Sequence, residues 1–111
     1  YSNEDSAISN TVNIKITSVI LLPPTNLTAT YNNAVRLIQL NWNSSDNNIL
    51  YFDIERKTEL SDFTLIRRID SNNNLYLDFS VEPNKVYTYR VRGFDLSRFS
   101  DYSNEVTIPT L

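Results

Sequence analysis

The chain has 111 residues, a net charge of −3, one Gly, four Pro, a single Trp and no Cys, His or Met. It therefore offers no disulfide, no Cys nucleophile and no His-based triad, and its acidic balance argues against a nucleic-acid partner, whose phosphates ask for a basic field. No apolar run approaches the ~20 residues that span a bilayer, so no membrane insertion is expected.

The first segment in chain order is an alternating one in which Val12, Ile14 and Ile16 share a face. Ser6–Ile14 aligns without a gap to Ser100–Ile108, at an offset of 94 residues, with five of nine positions identical. A period of that size reads as a tandem array. Residues 1–22 are then the closing strand of a preceding module plus a linker, and residues 23–111 one domain. The Val12, Ile14, Ile16 face is expected to add to a sheet edge, either of its own module or of a second copy in a dimer.

After Pro23-Pro24, helical periodicity is almost absent. Short runs rich in Val, Ile, Thr, Tyr and Phe lie between Asn/Asp/Ser clusters, the pattern of an all-β domain. Expected strands cover Asn26–Tyr31, with Leu27 and Ala29 inward, and Arg36–Asn43, with Ile38, Leu40 and Trp42 inward. Leu50–Lys57 follows, with Phe52 and Ile54 inward and Asp53, Glu55 and Lys57 outward. In Phe63–Ile69, the residues Phe63, Ile66 and Ile69 break simple alternation, and a bulge there reconciles them. A short strand at Leu75–Phe79 comes next.

Val81-Glu82-Pro83-Asn84 is a turn, with Asn84 suited to a left-handed backbone. From Val86, alternation places Tyr87, Tyr89 and Val91 on one face and Thr88, Arg90 and Arg92 on the other. A tyrosine at the start of such a strand buries its ring and returns its hydroxyl to backbone just upstream. Ser103–Ile108 closes the domain with Val106 and Ile108 inward. Seven short strands suit two packed antiparallel sheets.

These pieces, in this order, resemble the fibronectin type III module: Pro24-Thr25-Asn26-Leu27, Trp42, Phe52-x-Ile54-x-Arg56, Tyr76-x-Asp78, Val81-x-Pro83 ahead of Tyr87-x-Tyr89-x-Val91, and Ser100–Val106. The resemblance implies a seven-stranded immunoglobulin-like β-sandwich in which Trp42, Pro83, Tyr87, Tyr89 and Val91 are structural. It also implies a non-catalytic spacer or interaction module of an extracellular or cell-surface multidomain protein, without a cofactor. Its partners would be neighbouring domains of the same chain, or a protein or polysaccharide. Heavy Asn and Ile usage leans towards a bacterial source.

Outward chemistry is sparse. Asp53 and Glu55 are expected opposite Arg90 and Arg92 as ordinary surface ion pairs. Asp70-x-Asn72-x-Asn74 opens like a calcium loop but continues with Leu75 and Val81 where glycine and glutamate are needed. Arg67, Arg68, Arg90, Arg92 and Arg98, with Tyr51 and Tyr102 nearby, form a candidate basic strip. The loop holding Phe94, Asp95, Arg98 and Phe99 is the candidate contact site, since loops at sandwich ends carry recognition. Two functions stay open: a passive linker, and an adhesion or carbohydrate-binding module using that loop.

Overall fold

A computed structural model of the chain describes residues 20–111. The proposed strand-addition segment, with Val12, Ile14 and Ile16, lies outside them. Within them are seven strands: β1 Thr25–Asn32, β2 Leu37–Asn43, β3 Tyr51–Thr58, β4 Thr64–Asp70, β5 Leu75–Asp78, β6 Val86–Phe94 and β7 Val106–Pro109. They form a three-stranded sheet in the order β1-β2-β5 and a four-stranded sheet in the order β4-β3-β6-β7. Every pairing is antiparallel.

Alternation sends Ile38, Leu40 and Trp42 of β2 and Phe52 and Ile54 of β3 into the space between the sheets, where Tyr87, Tyr89 and Val91 of β6 meet them. All are buried, and Trp42 meets Phe52 edge-on with ring centroids 5.4 Å apart. Each such side chain contributes about 1.5–3 kcal/mol of burial. Leu21, Leu27, Ile49 and Val81 complete the cluster. Leu21 lies ahead of Pro23, so packing of this module reaches into the expected linker. Val106 and Ile108, expected in the core, are only half-buried, because β7 is a sheet edge.

The bulge in the fourth expected strand is present. Glu55 faces Leu65 and Ile54 faces Arg67, so Ile66 is the extra residue. It turns Ile66 and Ile69 towards the core, while Phe63, just before β4, stays on the outer face under the Lys57 and Arg90 cations.

Strand β7 begins three residues later than the alternation suggested. Ahead of it, Ser100 and Ser103 each pair twice with β6. Their N–H groups donate to the Gly93 and Val91 carbonyls at 2.9 and 2.7 Å. Their hydroxyls accept the Gly93 and Val91 N–H groups at 2.8 and 3.0 Å. Contacts at 100, 103 and 106 have a period of three, that of a polyproline II helix rather than of a strand.

The turn before β6 is fixed at both ends. Tyr87 is buried, and its hydroxyl accepts the Glu82 N–H at 2.9 Å. Asn84 takes φ 62°, a left-handed backbone that asparagine tolerates. Its N–H donates to the Thr110 carbonyl, and the fully buried Thr110 hydroxyl donates to the Glu82 carbonyl, both at 2.6 Å.

Candidate functional site

Two polar clusters stand out, one inside the sandwich and one on the outer face of the four-stranded sheet. The inner one was missed by sequence reasoning. Asp78, at the end of β5, is 1% exposed yet charged. It accepts from the Tyr89 hydroxyl at 2.6 Å, from Arg56 at 2.8 Å and from the Ser80 hydroxyl and N–H at 2.6 and 3.0 Å. Burial alone would raise the Asp78 pKa, but the Ser80, Tyr89 and Arg56 hydrogen bonds outweigh it and hold the carboxyl below its ordinary range. Burial first, then the Asp78 charge, pushes the Tyr89 phenol far above its usual value. The cluster pins β5 of one sheet to β3 and β6 of the other. A signal for it was present: Arg56 falls at an inward position of β3, and an inward cation demands an inward anion.

On the outer face, the register sets Asp53 opposite Arg92 and Glu55 opposite Arg90, as expected. The expectation that these carboxylates are ordinary surface pairs is wrong. Asp53 and Glu55 are 2% and 8% exposed, because side chains from β4, β6 and the stretch before β7 lie over them. Asp53 takes its partner from β4, where Arg68 donates two parallel hydrogen bonds at 2.6 and 2.9 Å. Glu55 accepts Arg90 at 2.8–2.9 Å on one oxygen and the Tyr102 hydroxyl at 2.9 Å on the other. Arg92 lies 4.0 Å from that second oxygen. Burial, then Glu55, raises the Tyr102 phenol above its ordinary value.

Over the carboxylates runs an alternating stack of cations and rings. Arg68 sits 4.3 Å from the Phe94 centroid, and Phe94 stacks on Phe99 at 4.5 Å. Arg92 lies 3.7 Å from Phe99 and 4.7 Å from Tyr102. Arg90 lies 3.6 Å from Tyr102 and 3.9 Å from Phe63, which Lys57 covers at 4.9 Å. Each contact is worth ~0.5–1 kcal/mol where exposed and more where desolvated. The candidate basic strip thus resolves into a mixed layer. Arg67 belongs to neither row of it, since it neighbours Arg68 on a strand and points to the opposite side.

The candidate contact loop is a closed turn. Phe94 and Phe99 form a bridge, and Asp95 accepts the Ser97 and Arg98 N–H groups at 2.9 and 2.8 Å. Those two amides hold the Asp95 carboxyl below its ordinary pKa. Arg98 also donates to Asp95, at 3.1 Å. Phe94 is half-buried and Phe99 43% exposed. One depression is an open groove of about 700 Å³, lined by residues 23–28 and 102–104. Asn104 closes its floor, accepting the Leu27 N–H at 2.9 Å and donating to the Leu27 carbonyl at 3.0 Å.

No family model and no curated protein matches the sequence significantly. Solved structures do match. An Fn3-like protein from Clostridium thermocellum is 20% identical with a TM-score of 0.69, over 80% of this chain and 92% of that one. A β-1,2-glucanase from Parabacteroides distasonis is 26% identical with a TM-score of 0.71, over 81% of this chain but 13% of the glucanase. The FN1–FN3 domains of chicken CNTN1 are 14% identical with a TM-score of 0.70, over 78% of this chain and 30% of that one.

Proposed function

Because the chain has the fibronectin type III fold, we propose that it is a structural spacer or interaction module of a multidomain extracellular or cell-surface protein, of bacterial source. Its partners are neighbouring domains of the same polypeptide, and the chemistry of its surface is that of bracing the outer face of the four-stranded sheet. The observation that carries this reading is the outer layer: Asp53 and Glu55 are buried beneath the arginines and the phenol that they bind, so neither presents a carboxylate to a ligand. The similarity to parts of longer chains supports the same reading.

A second reading is favoured by one feature, the partly exposed Phe94–Phe99 stack at the loop end of the sheet. The ring faces are taken by Arg68, Arg92 and each other, and what stays open to a sugar or a partner side chain is the exposed edge of Phe99. The test is a titration of the chain with soluble glucan oligosaccharides, followed by amide NMR shifts. The spacer reading expects no saturable change. Saturable shifts centred on residues 94–99, and their disappearance in Phe99→Ala, would replace it with the carbohydrate-binding reading.

A further inference from the structure

Arg68, Arg90 and Arg92 share the outer layer, yet only the first two have a carboxylate within hydrogen-bond distance. Among the described residues the Arg92 side chain donates no hydrogen bond, and its nearest carboxylate oxygen, on Glu55, lies 4.0 Å away. That oxygen already accepts from the Tyr102 hydroxyl, and the other Glu55 oxygen from Arg90. The Arg92 Nε is buried without a partner, and a buried donor in that state destabilises the fold. Arg92 is therefore not accounted for by the structural role of its neighbours.

What Arg92 has is position. Phe99 and Tyr102 border its guanidinium at 3.7 and 4.7 Å. With Nε enclosed, Nη1 and Nη2 are the part of the fork that reaches solvent, on a side chain 25% exposed. Two N–H groups on one edge of a guanidinium match the two oxygens of a carboxylate, as Arg68 and Asp53 show within the same layer. The charge balance agrees. Lys57, Arg68, Arg90 and Arg92 are ranged along a layer whose buried carboxylates are Asp53 and Glu55, so cations are in excess.

The surroundings favour a single acid over a polyanion. The chain as a whole carries −3, and Asp101 and Glu105, on the same stretch as Tyr102, are exposed. They also favour a protein. Phe99 and Leu96, on the turn beside the site, are 43% and 64% exposed, and Leu96 holds φ 77°, a backbone that strains leucine. An arginine set among aromatic rings with apolar neighbours has the make-up of a protein contact hot spot.

We propose that Arg92 is a carboxylate-recognition site, and that its ligand is an aspartate or glutamate side chain of a protein partner whose flanking apolar residues meet Phe99 and Leu96. The inference rests on the reading of the chain as an interaction module and supplies the chemistry of one of its contacts.

The test pairs stability with binding in the full chain. Arg68→Met and Arg90→Met each leave a buried carboxylate without its cation and are expected to lower the thermal midpoint by more than about 10 °C. Arg92→Met leaves none, and its midpoint is expected within about 5 °C of the parent's. Amide NMR shifts are then followed while acetyl-Leu-Glu-Leu-amide is added. Saturable shifts centred on residues 92, 99 and 102 are expected, with affinity at least about fivefold lower when glutamine replaces the peptide's glutamate, and no such shifts in Arg92→Met. A larger fall in the Arg92→Met midpoint, equal binding of the glutamine peptide, shifts that persist in Arg92→Met, or no saturable shift at all overturns the proposal. Sodium glucuronate that gives the same shifts at lower concentration than the peptide also overturns it, in favour of an acidic sugar. If Arg68→Met and Arg90→Met melt like the parent, the structural reading of the layer fails, and the titration still decides the role of Arg92.

Discussion

Tyr87 carries two jobs on one side chain: its ring fills the core beside Tyr89, and its oxygen accepts the Glu82 N–H. Tyr87→Phe keeps the first and removes the second, leaving a part-buried amide without its acceptor. A urea melt is expected to show a loss of about 1–3 kcal/mol. An unchanged midpoint would mean that water replaces the phenol at no cost. Gly93, the only glycine in the chain, is needed for space and not for backbone freedom. A methyl group at its Cα would overlap the buried Ile49 side chain, whose Cγ1 lies 2.7 Å from where it would stand. Gly93→Ala is therefore expected to destabilise by about 1–3 kcal/mol, and Ile49→Val in the same chain to restore part of that loss. A thermal melt of the single and double variants checks both.

At the scale of elements, β5 is held to the opposite sheet by a charge. The Asp78 carboxyl has a depressed pKa in the folded chain, so its contribution to stability is full above the unfolded value of ~3.9 and disappears as pH falls from there through the folded value. Thermal melts between neutral and strongly acidic pH are expected to show this decline, and Tyr89→Phe, which removes one of the hydrogen bonds that depress the pKa, to make it shallower. An identical acid limb in that variant would contradict the role given to the Tyr89–Asp78 bond. The same elements show what the sequence makes legible. Period-two alternation marks strands β1, β2, β3 and β6, because a half-buried strand writes its facing directly into residue order. The segment before β7 escaped that reading because its contacts fall at 100, 103 and 106. Burial of Asp53 and Glu55 escaped it too. Facing is a property of one strand, whereas their cover comes from Arg68, Arg90 and Tyr102, on three other segments of the chain.

For the whole molecule, the two sheets enclose a core made almost entirely of residues whose alternation announces them, while the polar residues that look chemical in sequence are engaged with one another. Asp70, Asn72 and Asn74 close a turn, in which the Asn73 N–H donates to the Asp70 carbonyl at 3.1 Å. The aromatic loop residues are layered with arginines. Under the tandem reading, full-length chain and residues 20–111 are both expected to be monomeric, with hydrodynamic sizes that differ only by the added segment; dynamic light scattering showing a dimer of the longer form alone would favour strand addition between copies. The fold was legible as a sum of local patterns, and the outer layer was not, because it exists only once β3, β4, β6 and the stretch before β7 are side by side.

The most direct measurement is equilibrium urea unfolding of Glu55→Gln. This change keeps the shape of the side chain and removes the charge beneath Arg90 and Arg92. If the layer exists to hold the sheet together, the midpoint falls by the equivalent of about 1–3 kcal/mol with an unchanged slope. An equal or higher midpoint would mean that Glu55 is kept at the expense of stability, as residues reserved for a ligand are, and would contradict a structural role for this face.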